Sequence, residues 1–148
     1  MRAIVGYAAN FLASVVLATA CSPRAEEQSA PVEAYGYTGG ELADAEGIKT
    51  DPTQGITSAF FTPMKPDPDI ATYRVHVDNS NAICGITGLV IDPQRADMVV
   101  MNITQQLGEP KLVIDDALVW MKGGMIVSVV YLDNGEVAVS HNITGKCF

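Results

Sequence analysis

A chain of 148 residues, 48% of them hydrophobic and 18% charged, is long enough for one domain and too apolar to be disordered throughout. Its 17 acidic against 9 basic residues, a formal net charge of -8, argue against a nucleic-acid binder, which needs a basic surface to displace the counterions of phosphates. In chain order, Arg2 supplies a positive charge, residues 3–20 are apolar or small apart from Asn10, and polarity returns at Ser22-Pro23-Arg24. This is the layout of a secretory signal peptide over residues 1–20, ending in the small-x-small trio Ala18-Thr19-Ala20. The apolar run is also borderline for spanning a ~30 Å hydrocarbon core, and the cleavage trio favours removal over a retained anchor.

Taken with the residue that follows, Leu17-Ala18-Thr19-Ala20-Cys21 resembles the lipobox of bacterial lipoproteins. The resemblance implies that Cys21 is diacylated on sulfur, that residues 1–20 are removed, and that the new amino group is acylated. Ser22 after the Cys, by likeness to enteric lipoproteins, implies sorting to the outer membrane, with the protein facing the periplasm. If Cys21 carries lipid, Cys84 and Cys147 are the remaining pair of the three cysteines, in a compartment where disulfides persist. A bridge between them and two buried free thiols are the alternatives.

Residues 22–70 hold three basic side chains against nine acidic ones and are rich in Gly, Pro, Ser and Thr, so residues 21–55 are expected to form a flexible, lipid-anchored linker. A segment that orders on a partner, with Tyr35 and Tyr37 as anchors, is the sharper alternative. Residues 56–148 then make a small α+β domain. Residues 71–78 alternate, with Tyr73, Val75 and Val77 on one side and Arg74, His76 and Asp78 on the other, a half-buried strand. Asp78-Asn79-Ser80-Asn81 is a turn cluster, and residues 82–91 are a second, more apolar strand carrying Cys84. Asp92 is placed to cap a helix opening on Pro93, with Ala96, Val99, Val100, Ile103 and Leu107 on one face and a stop at Gly108 and Pro110. Residues 111–114 and 117–121 read as strand segments interrupted by Asp115-Asp116. Residues 125–132 and 136–142 flank Asp133-Asn134-Gly135, a hairpin signal because Asn-Gly tolerates positive φ. The expected fold is an antiparallel sheet of about five strands with one helix packed on one face.

The run from Asn102 through Leu107-Gly108-Glu109-Pro110, Val119-Trp120 and Val129-Val130-Tyr131-Leu132-Asp133-Asn134-Gly135 resembles small outer-membrane-assembly lipoproteins of the SmpA/OmlA type. That resemblance implies a non-catalytic scaffold that contacts other envelope proteins.

Catalytic motifs are absent from the sequence: there is no Gly-x-Ser-x-Gly, Ser-x-x-Lys or His-Glu-x-x-His. His76 and His141 are the candidate bases, and are read more simply as polar residues on strand faces; whether they share a site is left open. No metal or cofactor is expected, since there are only two His and no CxxC. Met98, Met101 and Met125 are read as core filling before a lipid or peptide groove, and Trp120 as a core or interface anchor. The expectation is a non-enzymatic envelope lipoprotein, held on the membrane through its lipid and binding another envelope protein. The alternative is a carrier or sensor of a small apolar ligand.

Overall fold

The computed structural model describes residues 32–147. The expected signal peptide over residues 1–20 and the lipobox-like segment with Cys21 lie outside the described residues. Seven antiparallel strands form one sheet: β1 Ser58–Phe61, β2 Ile70–Val77, β3 Ile83–Val90, β4 Leu112–Ile114, β5 Ala117–Lys122, β6 Met125–Tyr131 and β7 Val137–Asn142. Their order across the sheet is β1-β2-β3-β7-β6-β5-β4. The α-helix, α1 Ala96–Leu107, connects the central β3 to the far edge β4.

The α+β class with one helix over an antiparallel sheet is as expected, and the strand number is corrected from about five to seven. Two local effects account for the difference. Asp115-Asp116 is a tight turn rather than an interruption: Asp115 takes φ +36°, and Ile114 pairs directly with Ala117, so one expected strand is a hairpin of two. The short Ser-Ala-Phe-Phe strand β1 has no alternation to reveal it and is defined by its pairing with β2.

The connection from β3 to β4 must pass over β7, β6 and β5, which is why α1 covers that side of the sheet. Asp92 accepts from the Gln94 N–H at 3.0 Å, and the first turn, Pro93–Arg95, is a 3-10 turn before the α-helix begins at Ala96. Ala96, Val99 and Ile103 are buried, Val100 and Leu107 pack partly buried against the core, and Gly108 ends the helix at φ +86°. The far end is pinned by the fully buried Trp120, whose Nε1 donates to the Gly108 carbonyl at 3.0 Å, and by Lys122 Nζ, which donates to the Gln106 carbonyl at 3.1 Å.

The linker expected over residues 21–55 is, from residue 32 onward, part of the folded body. Ala34, Tyr37, Ala43 and Ile48 are all buried in the hydrophobic core. Backbone bonds fasten this stretch to the start of β3: Gly40 N–H to the Ile83 carbonyl at 2.7 Å, Ile83 N–H to Glu41 at 2.7 Å, and Ala43 N–H to Asn81 at 3.0 Å. The sequence hides this because the four apolar residues are irregularly spaced among acids and glycines, a pattern with no helical or strand period. Tyr35 and Tyr37 do act as anchors, but on the chain's own sheet.

Candidate binding sites

Side chains paired across antiparallel strands point to the same face. On the face away from the helix, one row therefore runs Phe60, Arg74, Thr87, Ser140, Ser128, Val119, Leu112 across all seven strands. A second runs Thr72, Leu89, Ala138, Val130, Ala117, Ile114. A third runs Ser58, His76, Gly85, Asn142, Ile126, Met121. Among the described residues no second layer covers this face: Arg74 is exposed and His76 and Asp78 are half-buried. The Arg74 guanidinium lies 4.5 Å over the Phe60 ring, and His76 Nε2, Thr87 Oγ1 and Ser140 Oγ form a chain with 3.0 Å at each step. Burial and then the Arg74 charge hold the His76 pKa below the ordinary imidazole value. The face is thus polar over β1–β3 and apolar toward β4–β6.

At that apolar end, β4 is a sheet edge. Leu112, Val113 and Ile114 are all exposed, Val113 at 70%, and Met121 beside them is exposed as well. Short, charged or covered edges are how soluble proteins normally avoid pairing with other chains, and this one is short but apolar throughout. Acidic Asp115 and Asp116 follow it directly.

His141 lies on the other face. It pairs with Ile86, which pairs with Val75, so it points toward the helix while His76 points away. The two imidazoles therefore do not share a site. His141 instead forms part of the floor of a crevice of about 380 Å³. One wall is the α1 face carrying Val99, Asn102, Ile103 and Gln106, and the roof is made by residues 33–36 and 65–68. The roof is a tight turn in which Ala34 and Tyr37 exchange both backbone bonds, at 2.8 and 3.0 Å. Its central residues Tyr35 and Gly36 both take positive φ, +53° and +96°. Gly36 adopts this freely; Tyr35 does so against its preference.

The Tyr35 ring offsets that strain by standing edge-on to Tyr73 at 5.0 Å and to His141 at 4.9 Å. Burial, then Tyr73 and the Asp67 charge, keep its phenol protonated. Tyr73 Oη both accepts from the Asp67 N–H at 2.6 Å and donates to the Asp67 carbonyl at 3.1 Å, fixing residues 65–68 over the core. Lys65 is engaged by Glu33 at 2.7 Å, and the buried Asp69 by Arg95 at 2.9 Å. Burial pushes the His141 pKa down to about 4, so the ring is neutral. Its Nδ1 is shut off from solvent with no hydrogen-bond partner among the described residues.

Of the cysteines, Cys84 and Cys147 form a disulfide, S–S 2.02 Å with Cα atoms 5.3 Å apart. Met125 is buried as core, whereas Met98 and Met101 are exposed on the outer helix surface, which corrects their reading as core filling. They lie beyond the stripe that α1 turns to the sheet. Among the described residues there is no group of three or more His, Cys, Asp or Glu arranged to hold a metal ion, and no helix long and apolar enough to cross a membrane. Neither the crevice nor the apolar edge was among the sequence-derived candidates, although the alternation Val137, Val139, His141 already places the imidazole on the buried side. Compared with models of protein families, with curated proteins and with solved structures, the chain matches none.

Proposed function

We propose that this chain is a non-catalytic, lipid-anchored envelope protein that docks an extended segment of another envelope protein along β4. The observation that carries the reading is the exposed Leu112-Val113-Ile114 edge, the last strand of the sheet, which has no strand partner on its outer side among the described residues. A strand added there completes hydrogen bonds that β4 leaves open and covers the apolar third of the outer face, from Val119 to Met121. The partner segment carries alternating apolar residues, with basic residues beside Asp115 and Asp116. The formal charge of -8 sets a second copy of this chain against itself and favours a basic partner. The placement of His76 and His141 on opposite faces supports a role without catalysis, and the lipobox at Cys21 supports an outer-membrane anchor facing the periplasm.

The test is site-specific photocrosslinking in intact cells, with benzoylphenylalanine in place of Val113 or, as a control away from β4, of the exposed Gln54 in the 3-10 turn that precedes β1. A discrete adduct with a second protein from position 113 alone, weakened when Ile114→Lys is added, is expected. An adduct of twice the chain's own mass, equal adducts from both positions, or none from position 113 would overturn the proposal.

A further inference from the structure

The crevice beneath Tyr35 is built like a ligand site, independently of the β4 edge. Its volume of about 380 Å³ lies in the range of small-molecule pockets. Val99, Ile103, Ile70 and Val139 supply its apolar lining, and the carboxamides of Asn102 and Gln106 stand along one wall. The floor holds the half-buried His141 imidazole, whose Nδ1 is closed off from solvent without a hydrogen-bond partner among the described residues. A buried lone pair left alone is tolerated better than a buried N–H left alone, which assigns the His141 proton to Nε2. Among the described residues Nε2 has no acceptor, and since Nδ1 is closed off from solvent while Nε2 is not, Nε2 is the nitrogen that His141 offers to the crevice it lines. The strained turn at Tyr35 and Gly36 holds the roof in place over this donor.

We infer that this crevice binds an uncharged, carbonyl-bearing molecule with an apolar body, its carbonyl accepting from His141 Nε2–H and its N–H groups meeting Asn102 and Gln106. The charge around the opening selects against anions. Lys65 is taken up by Glu33, and Asp67 adds a second carboxylate with no further cation lining the site. A metal ion is not the occupant, since His141 has no companion ligands in a group of three among the described residues.

The probe is N-acetylphenylalanine amide, which combines a ring with neutral amides, and the control is N-acetylphenylalanine, identical except for its carboxylate. Both are titrated into the full-length chain while the imidazole nitrogens of His141 are followed by long-range ¹H–¹⁵N correlation. The amide is expected to shift the Nε2 resonance saturably, and the carboxylate to bind at least about tenfold more weakly, the scale of one lost hydrogen bond at a buried site. Gln106→Trp, an exposed position on the rim, should abolish the titration with the far-UV circular dichroism unchanged. His141→Phe, which keeps the contact with Tyr35, should weaken binding by about the same tenfold factor. A linear response without saturation, saturation that leaves Nε2 unmoved, equal binding of the carboxylate, or undiminished binding by either variant would overturn the inference.

Discussion

Lowering the pH should unfold this domain partly through a single side chain, His141. Its imidazole titrates near the ordinary value of 6.5 in the unfolded chain but is pushed down to about 4 by burial in the folded one. Between these two values the unfolded state binds a proton that the folded state refuses, so stability falls as pH falls. The contribution is fully present above about pH 6.5, declines through the interval, and levels off below about pH 4. At about 1.4 kcal/mol per pH unit, the loss is about 3 kcal/mol, a large part of the 5–15 kcal/mol typical of a domain. Urea unfolding followed by the fluorescence of Trp120, the single tryptophan, measures it. His141→Phe keeps the edge contact with Tyr35 but cannot titrate, so subtracting its stability from that of the wild type removes the parallel contributions of His76 and Asp78. The difference between the two proteins should shift by about 3 kcal/mol in favour of the variant between pH 7 and pH 4. A difference that stays constant across that range would refute the buried, neutral assignment.

Reduction of Cys84–Cys147, or replacement of both by Ser, frees a closed loop with a sequence separation of 63 and should cost about 4 kcal/mol in the chain-entropy account, read as a lower Tm. Val99→Asp places a carboxylate without a partner beneath α1 and should cost several kcal/mol, whereas Gln105→Ala on the exposed helix surface should leave the urea midpoint within about 0.5 kcal/mol of wild type. Intact mass of the membrane-extracted protein should show loss of residues 1–20 and added acyl chains at Cys21, which bind the bilayer by about 0.8 kcal/mol per buried CH₂; an unmodified Cys21 or a retained Met1 counts against the anchor.

What the sequence disclosed was what local chemistry controls. The stretch from Asp92 to Gly108 carries a cap, a proline at the opening, an apolar stripe and a glycine stop, and it folds as a helical segment whose first turn, Pro93–Arg95, is 3-10 and whose α-helix runs Ala96–Leu107. The turn at residues 78–81 is held by Asp78, which accepts from Ser80 and Ala82, as its composition suggests. The Asn134-Gly135 hairpin forms too, though only Gly135 takes positive φ, so it is not the turn with two left-handed residues that the dipeptide favours. What stayed hidden depends on distant pairing. Asp115-Asp116 looks like a break until β4 is seen to fold back on β5, and Ala34 to Ile48 look like solvated linker until β3 supplies their hydrogen bonds. The crevice needs residues 33–36, 65–68 and α1 brought together, and no window of sequence contains them.

The strand order has a consequence for how the sheet comes apart. β1, β2 and β3 form one meander, and β4 to β7 form another, each built from neighbours in sequence. They meet along a single seam, β3 against β7, where Leu89 faces Ala138 and Gly85 faces Asn142. Contacts so far apart along the chain carry the greatest loop-closure cost, so the seam is expected to be the last part of the sheet to zip. Cys84 lies on one side of this seam, and Cys147 belongs to the tail that follows the other, its N–H donating to Asn142 Oδ1 at 3.3 Å. The covalent bond therefore acts as a clasp across the line where the two meanders join: oxidised, they stay in register even when side-chain packing between them is loosened. In a reducing environment each meander keeps its local pairings, while their union rests on one ladder and the shared core alone.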